Sequence, residues 1–116
     1  MVLNDSLDAP QNQTIRQGEV DGVRVSYADY LRAGETISSV SSVTVTGAST
    51  SVTVASAAVS TAALIVLGAS VTTGEVVTFN VTAGSTATAG QYEATVTAVS
   101  STSRTSVRRV GLTVVG

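Results

Sequence analysis

The stretch Gly90-Gln-Tyr-Glu-Ala-Thr-Val-Thr-Ala-Val-Ser100, followed after Ser-Thr-Ser by Arg104-Thr-Ser-Val-Arg-Arg-Val-Gly-Leu-Thr-Val-Val115, decides the fold. Apolar residues alternate with polar ones along both halves: Tyr92, Ala94, Val96 and Ala98 in the first, and Val110, Leu112 and Val114 in the second. Successive side chains of a strand point to opposite faces of a sheet. The pattern therefore predicts a β-hairpin with one apolar and one polar face.

The same alternation continues upstream, where Val23, Val25 and Tyr27 share one predicted face, as do Val77, Phe79 and Val81. The continuous apolar run Ala62–Leu67 predicts a short strand buried on both faces, with a small helix as the alternative. Turn signals recur about every 8–12 residues, which is typical of an all-β sandwich or barrel. A closing hairpin with a Tyr near its start is typical of immunoglobulin-like sandwiches, in which that hydroxyl bonds back to the backbone. The predicted fold class is all-β, an immunoglobulin-like β-sandwich of about seven strands.

The predicted domain organisation is an extended N-terminal arm at residues 1–22 and a sandwich domain at residues 23–116. The arm contains the only proline, Pro10, and a polar run at residues 11–13. It is either a flexible terminal tail or a segment that orders against a partner, since ordering each residue costs about 1–2 kcal/mol. The N-terminus has no basic region before a long apolar run, so no signal peptide is expected.

The composition narrows the function classes. Charged residues make up 12% of the chain, against about 25% in ordinary soluble domains, while 16 Ser, 18 Thr and 21 Val favour strands. The sequence has no Cys, His or Lys, which removes disulfides, thiolate metal sites, the usual general base and the Schiff-base amine. The net charge of −2 does not favour nucleic acid binding, and no apolar run approaches the roughly 18 residues of a membrane span.

The carboxylates do not form a recognisable catalytic or metal-binding pattern. A glycosidase needs two carboxylates facing each other across a cleft, and nothing in the sequence places any pair so. Asn4, Asp5 and Asp8 offer oxygen atoms to calcium but lack the spacing of a calcium loop. We therefore predict no catalytic, cofactor-binding or metal-ligating residue, no cofactor, and no enzymatic activity.

Three of the six Arg residues, Arg104, Arg108 and Arg109, lie close together on the final hairpin. One interpretation is an edge strand that charge protects from pairing with another sheet. The other is an anchor for an acidic patch on a neighbour, because Arg forms bidentate pairs with carboxylates. The acidic first 35 residues of an adjacent copy fit such an anchor. These three residues are the predicted interaction residues.

A surface of Ser and Thr loses little side-chain entropy on docking, whereas free monomers usually carry more charge for solubility. The composition therefore favours a protein whose surface is largely covered in an assembly.

Two segments resemble a known family. Val25-Ser-Tyr-Ala-Asp-Tyr-Leu-Arg-Ala-Gly-Glu-Thr-Ile37 resembles the entry region of small immunoglobulin-like proteins of tailed bacteriophages. The segment from Tyr92 through Arg104-Thr-Ser-Val-Arg-Arg-Val-Gly-Leu-Thr-Val114 resembles the closing hairpin of that family. The match runs in order over residues 23–116. Such proteins are virion components that join fibres to the tail or neck, and related sandwiches decorate capsids.

The resemblance implies a non-enzymatic virion protein, made in the host cytoplasm and present in many copies of a symmetric assembly. The expected role is a fibre–tail adaptor, with the tail or neck hub and a fibre as partners. The alternative is a capsid decoration protein that cements the shell, with the major capsid protein as its partner. A third interpretation is an immunoglobulin-like module of a bacterial surface adhesin. Neither nucleic acid nor membrane is an expected partner.

Overall fold

The computed structural model describes residues 11–48, 50–66 and 68–116, which form an all-β sandwich. The strands of these residues are β1 (Gln11–Arg16), β2 (Val20–Ser26), β3 (Ile37–Gly47), β4 (Val52–Val59), β5 (Leu64–Val66), β6 (Ala69–Val71), β7 (Val76–Ala83), β8 (Gly90–Ser100) and β9 (Thr105–Val115).

Seven of these strands form two sheets. One sheet has the order β1-β9-β8-β3 and the other the order β2-β7-β4, while β5 and β6 form a separate hairpin. All pairs are antiparallel except β1 with β9. The second, fourth and fifth strands of an immunoglobulin sandwich form one sheet and the third, sixth and seventh form the other. The same grouping is seen here, with the first strand paired to the last, so the predicted fold class is confirmed.

The structure moves the start of the sandwich towards the N-terminus. β1 pairs in register from Gln11 with Val110 to Arg16 with Val115, and β2 begins at Val20. The predicted boundary between residues 22 and 23 therefore falls inside β2, which is a correction. Residues 1–10 of the predicted arm lie outside the described residues. Sequence pattern missed β1 because it adds to the sheet with a single apolar side chain in the core, that of Ile15.

The core lies between the inner faces of the two sheets. The residues expected there from alternation are buried: Val23, Val25, Tyr27, Val77, Phe79, Val81, Tyr92, Ala94, Val96, Ala98, Val110, Leu112 and Val114. Burial of apolar side chains contributes about 25 cal/mol per Å² of area removed from water. Most of this core is Val and Ala. Its largest fully buried members are Tyr27, Phe79 and Leu112.

The run Ala62–Leu67 is not the doubly buried strand that its composition predicts. Within the described part of this run, residues 62–66, the strand is Leu64–Val66, and Ile65 is 56% exposed; Leu67 lies outside the described residues. This strand turns back through Gly68 and pairs with β6. Val66 and Val71 then pack on Val76 in a second, smaller cluster. Val76 is out of phase with the core residues of β7, so this hairpin covers the outer face of the three-stranded sheet and has water on its other side.

Tyr92 has the structural role expected of it. Its hydroxyl donates to the backbone oxygen of Thr88 at 2.7 Å, which closes the connection between β7 and β8. Its ring lies against Gly47, its partner in the sheet register. A Cβ at Gly47 would lie 2.1 Å from the Tyr92 Cδ2 atom. The close approach of ring and backbone therefore requires glycine at position 47.

Phe79→Ala should destabilise the protein by about 3–5 kcal/mol, because it opens a cavity among short side chains that cannot collapse to fill it. The measurement is the free energy of unfolding from urea denaturation at pH 7. Phe79→Leu is the matched control and should cost clearly less. A loss below about 1 kcal/mol for the Ala variant would contradict the placement of Phe79 in the core.

Gly47→Ala should lower the free energy of unfolding by about 1–3 kcal/mol, because the new methyl group displaces the Tyr92 ring from its position against the backbone. Gly22→Ala is the control, since a Cβ there would meet only the Asn80 Oδ1 atom at 3.8 Å. The control should be neutral or stabilising by up to about 1 kcal/mol, because Ala loses less backbone entropy than Gly. Equal losses of unfolding free energy in the two variants would argue against the ring contact.

Candidate interaction surface

Arg108, one of the three predicted interaction residues, points into the sandwich. Its side chain is 6% exposed, and it shares the inward phase of Val110 and Leu112 on β9. The guanidinium donates to Asp29 Oδ1 at 2.8 Å and lies 5.3 Å from the centroid of the Tyr27 ring. The alternation of β9 was the signal that could have placed Arg108 on the inner face. The ion pair of Arg108 with Asp29 holds the β2–β3 connection onto β9.

Arg104 also makes its contacts within the chain. Its Nε donates to Glu35 Oε2 at 3.0 Å, and its Nη2 pairs with Glu35 Oε1. The guanidinium also stacks 4.4 Å from the centroid of the Tyr30 ring. Because Glu35 lies just before β3 and Arg104 just before β9, this pair ties the β2–β3 connection to the final turn.

The Glu35 carboxylate is buried and accepts several further hydrogen bonds. Ser100 Oγ donates to Oε2 at 2.6 Å, Thr102 Oγ1 donates to the same oxygen, and the Arg32 backbone N–H donates to Oε1 at 2.9 Å. The Arg104 guanidinium, followed by the Arg32 N–H and the two hydroxyls, lowers the pKa of Glu35 far below its ordinary value of 4.5. Hydrogen bonds to the ionised form favour that form, so Glu35 is charged at neutral pH.

Tyr27 closes the core beneath Arg108. Its hydroxyl donates to the backbone oxygen of Val96 at 3.2 Å, which links the start of the β2–β3 connection to the opposite sheet. Burial raises the pKa of Tyr27 to about 12, partly opposed by the Arg108 charge. The phenol therefore stays protonated and remains a hydrogen-bond donor at physiological pH.

Arg109 is the most exposed of the three, at 59%, and its Nε lies 3.7 Å from Glu93 Oε1 on the outer face of the four-stranded sheet. An exposed pair of this kind contributes little to stability. Within the described residues, β1 covers only the Val110–Val115 half of β9. That Arg104, Arg108 and Arg109 contact a neighbouring copy stays a prediction, and Arg109 has the side chain best placed for it.

The acidic first third and the Arg cluster do meet, but within one chain. Asp29 pairs with Arg108 and Glu35 pairs with Arg104. The two segments that carry the family resemblance are thus in contact at one end of the sandwich. At this end the β2–β3 connection and the β8–β9 turn are held together by ion pairs, hydroxyls and aromatic rings.

A second feature is a long uncharged segment. Residues 36–74 contain no Asp, Glu, Lys or Arg, a run of 39 residues that composition totals conceal. In the structure this run provides β3 to β6. β3 and β4 are edge strands of the two sheets and lie close together on the same side of the sandwich. We call the side of the sandwich formed by β3 and β4 the uncharged side. It is the candidate interaction surface.

A groove of about 820 Å³ lies on the outer face of the three-stranded sheet beside the β5–β6 hairpin. Asp21, Arg24 and Asn80 line it together with apolar residues such as Leu64. The Arg24 Nη1 donates to the backbone oxygen of Ile65 at 3.0 Å, and Asp21 Oδ2 accepts from the Gln13 side chain at 3.1 Å. These charged groups hold the hairpin and β1 in place.

Among the described residues, no group of three or more His, Cys, Asp or Glu side chains is arranged to hold a metal ion. The oxygen ligands considered for calcium, Asn4, Asp5 and Asp8, lie outside these residues. In the same part of the chain no helix is long and apolar enough to cross a membrane.

The fold and this surface define an immunoglobulin-like β-sandwich with one uncharged side. No protein family, characterised protein or solved structure matches the chain. The resemblance to phage proteins rests on the quoted segments alone.

Glu35→Gln should make the protein less stable at pH 7 and flatten its stability–pH profile. Because the pKa of Glu35 is lowered in the folded state, its contribution is present above about pH 4.5 and is lost as the pH falls towards the folded pKa. The measurement is the free energy of unfolding from urea denaturation between pH 7 and pH 3. The difference between wild type and variant should shrink below about pH 4.5.

Glu93→Gln is the matched control, because it removes an exposed carboxylate with a single 3.7 Å ion pair. It should change stability little at any pH. A wild-type advantage over Glu35→Gln that stays constant with pH would show that the loss comes from packing and not from the charge.

Proposed function

We propose that the protein is a non-enzymatic structural component of a tailed-phage virion, an adaptor that joins fibres to the tail or neck. The observation that carries this proposal is the uncharged side. Residues 36–74, a third of the chain, have no ionisable side chain and contain the edge strands β3 and β4 and the β5–β6 hairpin. Depletion of charged residues is the compositional mark of interface cores.

The proposed mechanism is geometric. Ser, Thr, Val and Ala side chains on β3 and β4 have little rotamer freedom to lose when covered. The outer face of the four-stranded sheet carries the exposed Arg109 and Glu93 pair, so a single domain offers two chemically different surfaces. In a ring of copies, contacts that are weak one by one add through their high effective concentration.

The ion pairs at the end of the sandwich support the same proposal. Glu35, Arg104 and Arg108 hold the β2–β3 connection against the final hairpin. A connector must keep its two surfaces at a fixed angle, and interlocked loops serve that requirement better than mobile ones.

The decoration alternative relies on an arm at residues 1–22 that links neighbouring shell subunits. Gln11–Arg16 is already paired with β9, and residues from Val20 onward form β2. The second half of that arm is therefore part of the domain, which favours the adaptor over the decoration role.

The test is electron microscopy of particles of a tailed phage that encodes this chain, labelled with gold-conjugated antibody against the protein. The adaptor role predicts label confined to the tail or to one vertex. Antibody against the major capsid protein is the positive control and should label the whole shell. Label of this protein over the shell would favour decoration, and no label on particles with accessible epitopes would refute the virion role.

A further inference from the structure

We propose that the uncharged side is a self-association surface, on which β3 of one copy pairs antiparallel with β3 of a second copy across a two-fold axis. This proposal rests on the proposed function, because it names a second copy of the chain as a partner of the uncharged side.

β3 is the longest edge strand in the described part of the sandwich, at 11 residues. It is hydrogen-bonded to β8 along one edge. Within the described residues no strand pairs with its other edge, which lies on the side where β4 is the neighbour. A strand edge presents backbone N–H and C=O groups that can pair with an added strand. Natural edges are usually protected by charged side chains or proline, and β3 carries neither.

The lack of charge favours an identical partner over a different one. A two-fold interface brings each surface patch against its own copy, so any charge near the axis would meet its like, which is destabilising across paired strands. A different protein could match charge with opposite charge and would place no such restriction on β3. A charge-free edge next to an equally charge-free β4 therefore fits a second copy of this chain.

The residue pattern of β3 is self-complementary. The two register shifts with β8 are confined to residues 37–42, and pairing is regular from Ser42 to Gly47. A two-fold axis at Thr44, near the middle of the regular part, would set Ser42 opposite Thr46 and Val43 opposite Val45. Hydroxyl side chains would then meet on the outer face, while half-buried Val side chains would meet on the inner face and extend the core of each copy.

The pairing would join two four-stranded sheets into one continuous sheet. An interface of about six paired residues is smaller than the roughly 1,600 Å² of a standard stable complex. The dimer should therefore be reversible in solution and strengthened where many copies are held together.

The test is sedimentation equilibrium of the purified chain from about 1 µM to about 1 mM, the range that spans weak interfaces. Wild type should show a concentration-dependent dimer. Thr44→Lys and Thr44→Glu should each be monomeric, because like charges meet at the axis. An equimolar mixture of these two variants should recover the dimer, since the charges at the axis are then opposite.

Thr53→Lys is the matched control, because Thr53 is an exposed threonine on β4, the neighbouring edge of the other sheet. It should dimerise like wild type. Circular dichroism would check that each variant is folded. Hydrogen exchange on wild type adds a readout without mutation: backbone amides of residues 42–47 should exchange faster on dilution.

A wild-type monomer at every concentration would overturn the proposal, as would a dimer that survives Thr44→Lys or a variant mixture that stays monomeric. Loss of the dimer in Thr53→Lys to the same extent would also overturn it, by placing the contact on β4. None of these results bears on the particle labelling, so failure of the β3 contact and failure of the virion role are separate outcomes.

Discussion

The two sheets pack on a core of mostly short side chains, and the other features of the structure depend on this constraint. Apart from Tyr27, Phe79 and Leu112, the fully buried members are mainly Val and Ala. Val and Ala interdigitate well in the middle of a sandwich, but they are too short to cover its ends. Aromatic and charged side chains cover the ends instead. Tyr27 lies under Arg108 at one end, and Tyr92 lies against Gly47 at the other side of the core.

The ion pairs at the end of the sandwich differ in kind from the one on its face. Glu35 is desolvated, which is costly for a charge, but each of its oxygens accepts more than one hydrogen bond. Removing one partner of such a group is more damaging than the net stability of the pair would indicate. The contact between Arg109 and Glu93 is exposed and longer. We infer that the Glu35 network orients two loops, whereas the exposed pair mainly sets the charge of the surface.

Charge is distributed unevenly over the domain. Asp29, Glu35, Arg104 and Arg108 are used at one end of the domain, and residues 36–74 bring no further charge to the side formed by β3 and β4. These charges therefore hold the fold together, while the candidate interaction surface formed by β3 and β4 is polar but neutral. The three Arg residues of the final hairpin are conspicuous in the sequence, whereas the uncharged side is recognisable only once β3 and β4 are neighbours in space.

The sequence by itself determined the strand-rich fold, the inner faces of β2, β7, β8 and β9, and the hydrogen bond of Tyr92. These follow from alternation and from contacts four residues apart, which are local properties of a chain. Tertiary structure alone decided that the polar segment Gln11–Arg16 completes a sheet and that the apolar run near Ile65 lies half exposed. It also decided that Glu35 meets Arg104 across 69 residues. Such features depend on which distant strands become neighbours, and no local periodicity records that.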